Sequence, residues 1–408
     1  MTKLTRLAAA GVLAICATGA MAQDAVTLRV WDTFTETSEG MDALIAAFEE
    51  ANPDVDVQRD VQSVDDMRPT IQTALNSGSG PDVFYYDTGP GFAGVLAEAG
   101  LLRPLDSLYE SGKLDHLYDW TRERSSFGGK TYGIGNAVEF LSVYYNADVF
   151  KEHGLSEPAT YEEFLSSCET LKEAGIIPVA FGNAAGWPAF HIFSLYANNL
   201  IPQDQLQAMI RGEQSWDSPE VVKAIDAAFV EMQERGCYSP SVNAASYDDA
   251  NALFTSGMAA MTMTGSWIIP VFSEAPFNVD FFFLPAPEGG TTMPPAGLGS
   301  GYFVSAATKN PEAAERFLTF IYDPANASYW VEQMSVLPPY PIGEGQVEAS
   351  PLMAQTMESL NPEAMGLNID VLTPEAFNTT MLDGFQAVLG GDRTAEEQAA
   401  ALQSSIGQ

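Results

Sequence analysis

Strand and helix patterns alternate along the first third of this chain, and that alternation restricts the fold more than any other feature. Val26, Leu28 and Val30 repeat at every second residue, the period of a strand with one buried face. Met41, Leu44, Ile45 and Phe48 follow at helical spacing until Asn52-Pro53 stops them. Val55 and Val57 start another strand, and Met67, Ile71 and Leu75 share a helix face that ends at Ser77-Gly-Ser-Gly-Pro81. Asp82-Val-Phe-Tyr-Tyr-Asp87 is a buried third strand, and a glycine-rich turn leads into a helix over 92–99. Parallel neighbours need a crossover connection, so this succession predicts a mainly parallel sheet wrapped by helices.

The pattern restarts after residues 128–146, a glycine turn followed by two short β-rich pieces. That run carries one carboxylate, Glu139, in an otherwise apolar stretch. A carboxylate there is costly unless it meets partners or opens onto a wet cleft. Glu139 therefore either faces solvent on an edge strand or receives hydrogen bonds from a ligand. Thr160 and Glu163 have capping-box spacing for a helix with Phe164, Leu165, Cys168 and Leu171 inward, stopped at Gly175. A strand follows over 176–181, and Ser218-Pro219 starts a helix that buries Val222, Ile225, Phe229 and Met232. Further strands are expected over 258–264 and 281–284, and 285–301 reads as a loop rich in proline and glycine. Asn310-Pro311 opens a helix with Ala314, Phe317, Leu318 and Ile321 on one face, and the remainder beyond Pro338 reads as helices with polar loops. The architecture expected is two α/β lobes with a helical tail.

Residues 1–22 stand outside this pattern. Lys3 and Arg6 precede an apolar core from Leu7 to Ala17, and Ala20-Met21-Ala22 supplies small residues for cleavage. This is a secretory signal peptide. Cys16 would suggest lipidation, but Ile15 before it is too bulky. No later apolar run is long enough to span a membrane. The remaining chain, about 386 of the 408 residues, exceeds one typical domain.

Loss of Lys3 and Arg6 takes the net charge from −36 to near −38. Such a field repels nucleic acid and anionic membranes, and fits a salt-rich habitat where screening tolerates self-repulsion. Two cysteines remain, Cys168 and Cys237. In an oxidising compartment they either form a bridge or stay as two separate buried thiols. His116, His153 and His191 are far apart, and metal-site spacing is absent.

Several short pieces, in order, resemble the solute-binding subunits of carbohydrate ABC importers, the family that includes maltose-binding protein. They are Leu28-Arg-Val-Trp31 with Leu44-Ile-Ala-Ala-Phe-Glu-Glu-Ala-Asn-Pro53, Gly80-Pro-Asp-Val-Phe84, Gly100-Leu-Leu-Arg-Pro-Leu105, Gly129-Lys-Thr-Tyr-Gly133 with Tyr145-Asn-Ala-Asp148, Gly257-Met-Ala-Ala-Met261 to Gly265-Ser-Trp267, and Ala307-Thr-Lys-Asn-Pro-Glu-Ala-Ala314 with Phe317-Leu-Thr-Phe320. The resemblance implies a two-lobed periplasmic binding protein fold of the type II clamshell kind, its lobes discontinuous in sequence. Residues 23–136 with 286–338 would form the first lobe, and 137–285 with 339–408 the second, including the helical tail. Crossings would fall near Ala137, Pro285 and Pro339. The partners implied are a small-molecule carbohydrate and inner-membrane ABC permease subunits. The protein would act in the periplasm as a monomer, without cofactor or metal and without chemistry of its own.

A sugar wants charged acceptors for its hydroxyls and flat rings for its C–H faces. Candidates lie at the carboxyl ends of strands, where open α/β sheets place ligands. Trp31, Asp32 and Glu36 follow the first strand, and Asp87 closes the third. By resemblance, Glu139 matches a hydroxyl-binding glutamate and Trp267 the stacking tryptophan. Trp187 is a second platform, and Gly299 and Ser300 lie where backbone approaches the solute. Each has a plainer reading: Trp31, Trp187 and Trp267 as core, Asp32 and Glu36 as helix caps, Asp87 as a turn acceptor. Arg68 departs from an acidic residue of maltose-binding protein and sits either at the cleft edge or on a helix surface; His191 reads as structural. Two rivals remain: the same fold holding a polyamine or other cation through carboxylates and cation–π contact, and an exported glycoside hydrolase with a carboxylate pair.

Overall fold

The computed structural model describes residues 25–35, 37–136, 138–297, 299–360 and 365–406. The expected signal peptide, residues 1–22, Glu36 and Ala137 lie outside the described residues.

Two sheets organise the chain. The first has the strand order Val55–Val61, Val26–Asp32, Val83–Asp87, Ser300–Val304, Gly133–Gly135. The second runs Gly366–Leu367, Pro295–Gly297, Glu139–Asn146, Ala259–Gly265, Ile177–Ala180, and Val279–Phe282 also pairs with Glu139–Asn146. Both are mixed, which corrects the expectation of mainly parallel sheets. The first three strands are parallel, joined by helices, as the sequence pattern requires. Ser300–Val304 enters from the other lobe, with no crossover helix, and therefore lies antiparallel to Val83–Asp87 and Gly133–Gly135. The same holds in the second sheet, where Glu139–Asn146 is antiparallel to Ala259–Gly265, Val279–Phe282 and Pro295–Gly297.

Leu28 and Val30 are fully buried and pack with Met41, Leu44 and Phe48, so the predicted inward faces form the first lobe's core. Helix Pro311–Ile321 returns to that core with Ala314, Phe317, Leu318 and Ile321. The second lobe's core collects Phe164, Leu165, Cys168, Leu171 and the C-terminal Phe377, Met381 and Phe385. Cys168 and Cys237 are neighbouring free thiols in that core; burial first, and then Cys237, pushes the Cys168 thiol up. The Thr160 cap forms, its hydroxyl accepting from the Glu163 amide, but the Glu163 carboxylate reaches Ala159 N–H instead of Thr160. The helix after Ser218 passes through a π turn at Asp226–Glu231. Its register places Val221 inside and leaves Val222 at the margin of the core.

The chain passes between the sheets at adjoining places. Asn136 N–H donates to Ser300 O at 3.0 Å, Gly297 pairs with Glu139, and Val138 N–H donates to Leu337 O at 3.3 Å. The return to the first sheet falls between Gly297 and Ser300, later than the expected Pro285. Pro295–Gly297, read from sequence as loop, pairs with two strands of the second sheet first.

Candidate functional site

Strand ends at these crossings bring the candidate side chains together. Glu139 begins its strand directly at the crossing, and Gly299 lies against it: a Cβ there would sit 3.2 Å from Glu139 Oε2. The Gly299 amide donates to the carboxylate, yet burial dominates and pushes its pKa up to about 8, with the Asp87 charge adding to the rise. Two small hollows, each with room for about one water molecule, have Glu139 and Trp267 as shared walls.

Trp267 lies in the turn Ser266–Ile268 that follows strand Ala259–Gly265. Its ring covers Gly265 so closely that a Cβ would enter the indole, which explains the glycine at that strand end. Its Nε1–H donates to Tyr247 Oη at 2.9 Å, and Tyr247 Oη is 2.9 Å from Thr264 Oγ1. His191 stands between two indoles, with ring centroids 5.3 Å from Trp187 and 5.0 Å from Trp267. Burial, helped by the Arg68 charge, lowers its pKa to about 3, so the imidazole is neutral.

The first lobe contributes a second cluster, which lines neither hollow. Asp87 closes its strand and accepts a two-pronged contact from Arg68, Nε to Oδ2 at 2.8 Å and Nη2 to Oδ1 at 2.9 Å. Burial opposes the Arg68 charge, but Asp87 more than offsets it and holds the guanidinium above its ordinary range. That guanidinium lies 5.3 Å from the Phe92 ring and 5.8 Å from the Trp187 ring. Trp187 Nε1–H donates to Asp65 Oδ1 at 3.0 Å, so the helix Val64–Ser77 of one lobe meets the other lobe at an indole.

The profile of the bacterial extracellular solute-binding protein family matches residues 31–328. The chain belongs to that family. It is 27% identical over 299 residues to an uncharacterized ABC transporter extracellular-binding protein of Pyrococcus horikoshii, covering 71% of this chain and 66% of the relative. A multiple sugar-binding protein of Streptococcus mutans is 26% identical over 313 residues, 73% of this chain and 71% of its own. Among solved structures, one described under xylan utilization by Caldanaerobius polysaccharolyticus superposes with TM-score 0.84 at 24% identity, over 93% of this chain and 100% of the other. That likeness shows the two-lobed fold.

Within this family member, the predicted residues divide into three groups. Glu139, Trp267 and Gly299 meet at the crossings. Asp87 and Trp187 meet through Arg68, and Ser300 pairs in register with Asp87. Trp31 and Asp32 stay apart from them. Trp31 is half-buried against the cluster of Met67, Ile71 and Phe84 and lines neither hollow. Asp32 is fully buried, and its oxygens take Arg59 Nε at 2.7 Å, Arg59 Nη2 at 2.8 Å and the Phe34 amide at 3.1 Å. The expected ligand carboxylate is thus an internal anchor, because no acceptor edge is left for a solute.

Four residues of the site escaped the sequence reading: Tyr247, Arg124, Asn368 and Asp370. Asn368 lines one of the two hollows, and Asp370 lies within electrostatic reach of Arg68 and Arg124. Burial raises the Asp370 pKa to about 6 against the pull of Arg68. Asn368 and Asp370 flank the fully buried Ile369 in a bend that leads into the short turn Asp370–Leu372, so neither a strand nor a helix period marks them in the sequence. Arg124, at the end of the polar helix Asp119–Arg124, gives no signal either.

Proposed function

We propose that the protein is an exported, periplasmic binding protein that holds a neutral mono- or oligosaccharide between its lobes and hands it to an ABC permease. One observation carries the reading: an indole, Trp267, and a carboxylate, Glu139, face the same two hollows. A flat ring takes the C–H face of a sugar, and a buried carboxyl group exchanges hydrogen bonds with its hydroxyls in either protonation state. The sugar-binding relative from Streptococcus mutans supports the same solute class. The protein on this reading performs no reaction, and the lobes open and close about the three crossings.

A polyamine fits these walls less well. The guanidiniums of Arg68 and Arg124 would repel it, and burial favours the uncharged form of Glu139. A thermal-shift screen over neutral carbohydrates, uronates and polyamines tests the assignment. A neutral sugar at about a hundred times its Kd should stabilise the protein by about 2.7 kcal/mol. A shift produced by polyamines alone would refute it.

A further inference from the structure

Three buried polar atoms are without a hydrogen-bond partner on side chains that neighbour one another: Arg124 Nη1, Asn368 Oδ1, and Asp370 Oδ1, two residues beyond Asn368 and within reach of the Arg124 charge. Asn368 and Asp370 are 7% and 4% exposed. A Cβ on Gly297 would lie 3.6 Å from Arg124 Nη2 and 3.9 Å from Asn368 Cβ, so both side chains flank this glycine. Asn368 itself lines one hollow with Glu139, Trp267 and Gly297. Asp370 feels the charges of Arg68 and Arg124, yet it forms an ion pair with neither among the described residues. Arg68 is committed to Asp87.

Buried polar groups are nearly always satisfied, so three unmet atoms at one place call for a partner. Their chemistry specifies it. The set offers one N–H donor and two oxygen acceptors. Two hydroxyls supply two O–H donors and oxygens that accept from a guanidinium. A carboxylate or phosphate would satisfy Arg124 but face the Asp370 carboxylate and Asn368 Oδ1 with no proton to give.

We infer that Arg124, Asn368 and Asp370 form a subsite that reads two neighbouring free hydroxyls of an uncharged sugar ring. One hydroxyl donates to Asp370 Oδ1, the other to Asn368 Oδ1, and one of the two oxygens accepts from Arg124 Nη1. Arg124 comes from the first lobe and the other two from the second, so the subsite is complete when the lobes are together. The inference rests on the carbohydrate reading above and narrows it to rings with an unsubstituted pair of adjacent hydroxyls.

The test uses the full mature protein and a sugar that binds it by calorimetry. Asp370→Asn and Asn368→Ala should each weaken binding by at least tenfold. The ligand-free melting temperature should stay level or rise, because an unmet buried polar group is removed. A purely structural role predicts the reverse, a lower melting temperature with unchanged affinity of the folded protein. Monodeoxy analogues of the bound sugar provide the second arm: at one or two ring positions, deoxygenation should cost wild type at least tenfold and Asp370→Asn distinctly less. Wild-type affinity in both variants, with Trp267→Ala still impaired, would overturn the subsite and leave the carbohydrate reading intact. Tighter binding of the matching uronate than of the parent sugar would overturn it in favour of an anion site. No binding of any neutral sugar would overturn both.

Discussion

At the scale of single residues, the site is a set of opposed demands made by burial. Glu139 is surrounded by protein and gains one amide donor from Gly299, which is too little to keep it readily charged. The unfolded chain releases this proton near 4.5, whereas the folded chain holds it to about 8. The native state therefore binds more protons across that window, and stability must fall as pH rises through it. Glu139→Gln should flatten that decline by roughly 1–3 kcal/mol in urea unfolding followed from pH 5 to pH 9; an unchanged slope would show that the group titrates normally. Trp267 makes the other demand, for a flat apolar partner. Trp267→Ala should weaken sugar binding by about 1–2 kcal/mol while circular dichroism stays native. Unaltered affinity would remove the indole from the binding surface.

At the scale of elements, strand ends do different jobs according to what faces them. Trp31 and Asp32 end the first strand as Asp87 ends the third, yet Asp32 takes an arginine of its own sheet, Arg59, whereas Asp87 takes Arg68, whose guanidinium also meets the Trp187 ring. The Asp32–Arg59 pair is buried on both sides, with side chains 0% and 6% exposed, and ties the first strand to its neighbour Val55–Val61. Asp32→Asn should cost about 3 kcal/mol in chemical denaturation, because Arg59 would keep only Asp42 as a charged partner. Sugar affinity of the folded fraction should not change; a selective loss of affinity would return Asp32 to the site. Sequence periodicity made the inner faces legible here, since a strand with one buried side and a helix with one buried stripe announce themselves by period. It could not show which strand-end carboxylate meets an arginine, because Arg59 and Arg68 reach across 27 and 19 residues of chain.

At the scale of the whole molecule, the lobes and the order of their elements were readable from alternating patterns and family-like pieces. The sense of the returning strands was not. Antiparallel entry at Ser300–Val304 follows from the path between lobes, a property no local window contains. Glu139 and Trp267 could be proposed from sequence, by family resemblance and by their places at the ends of recognisable strands, while Arg124, Asn368 and Asp370 could not. Arg124 lies far along the chain from Asn368 and Asp370, and it comes near them only in the fold, on either side of Gly297. The account rests on this meeting place gripping an uncharged polyol, and a net charge of −36 makes one measurement decisive. Calorimetric titration of the best-binding solute at low salt and at roughly 0.5 M salt separates neutral from charged ligands, since exposed charges are screened within a few ångströms at the higher value. The account predicts a neutral sugar whose Kd changes less than about twofold. A best-binding solute that is cationic, with affinity falling steeply as salt rises, would contradict it.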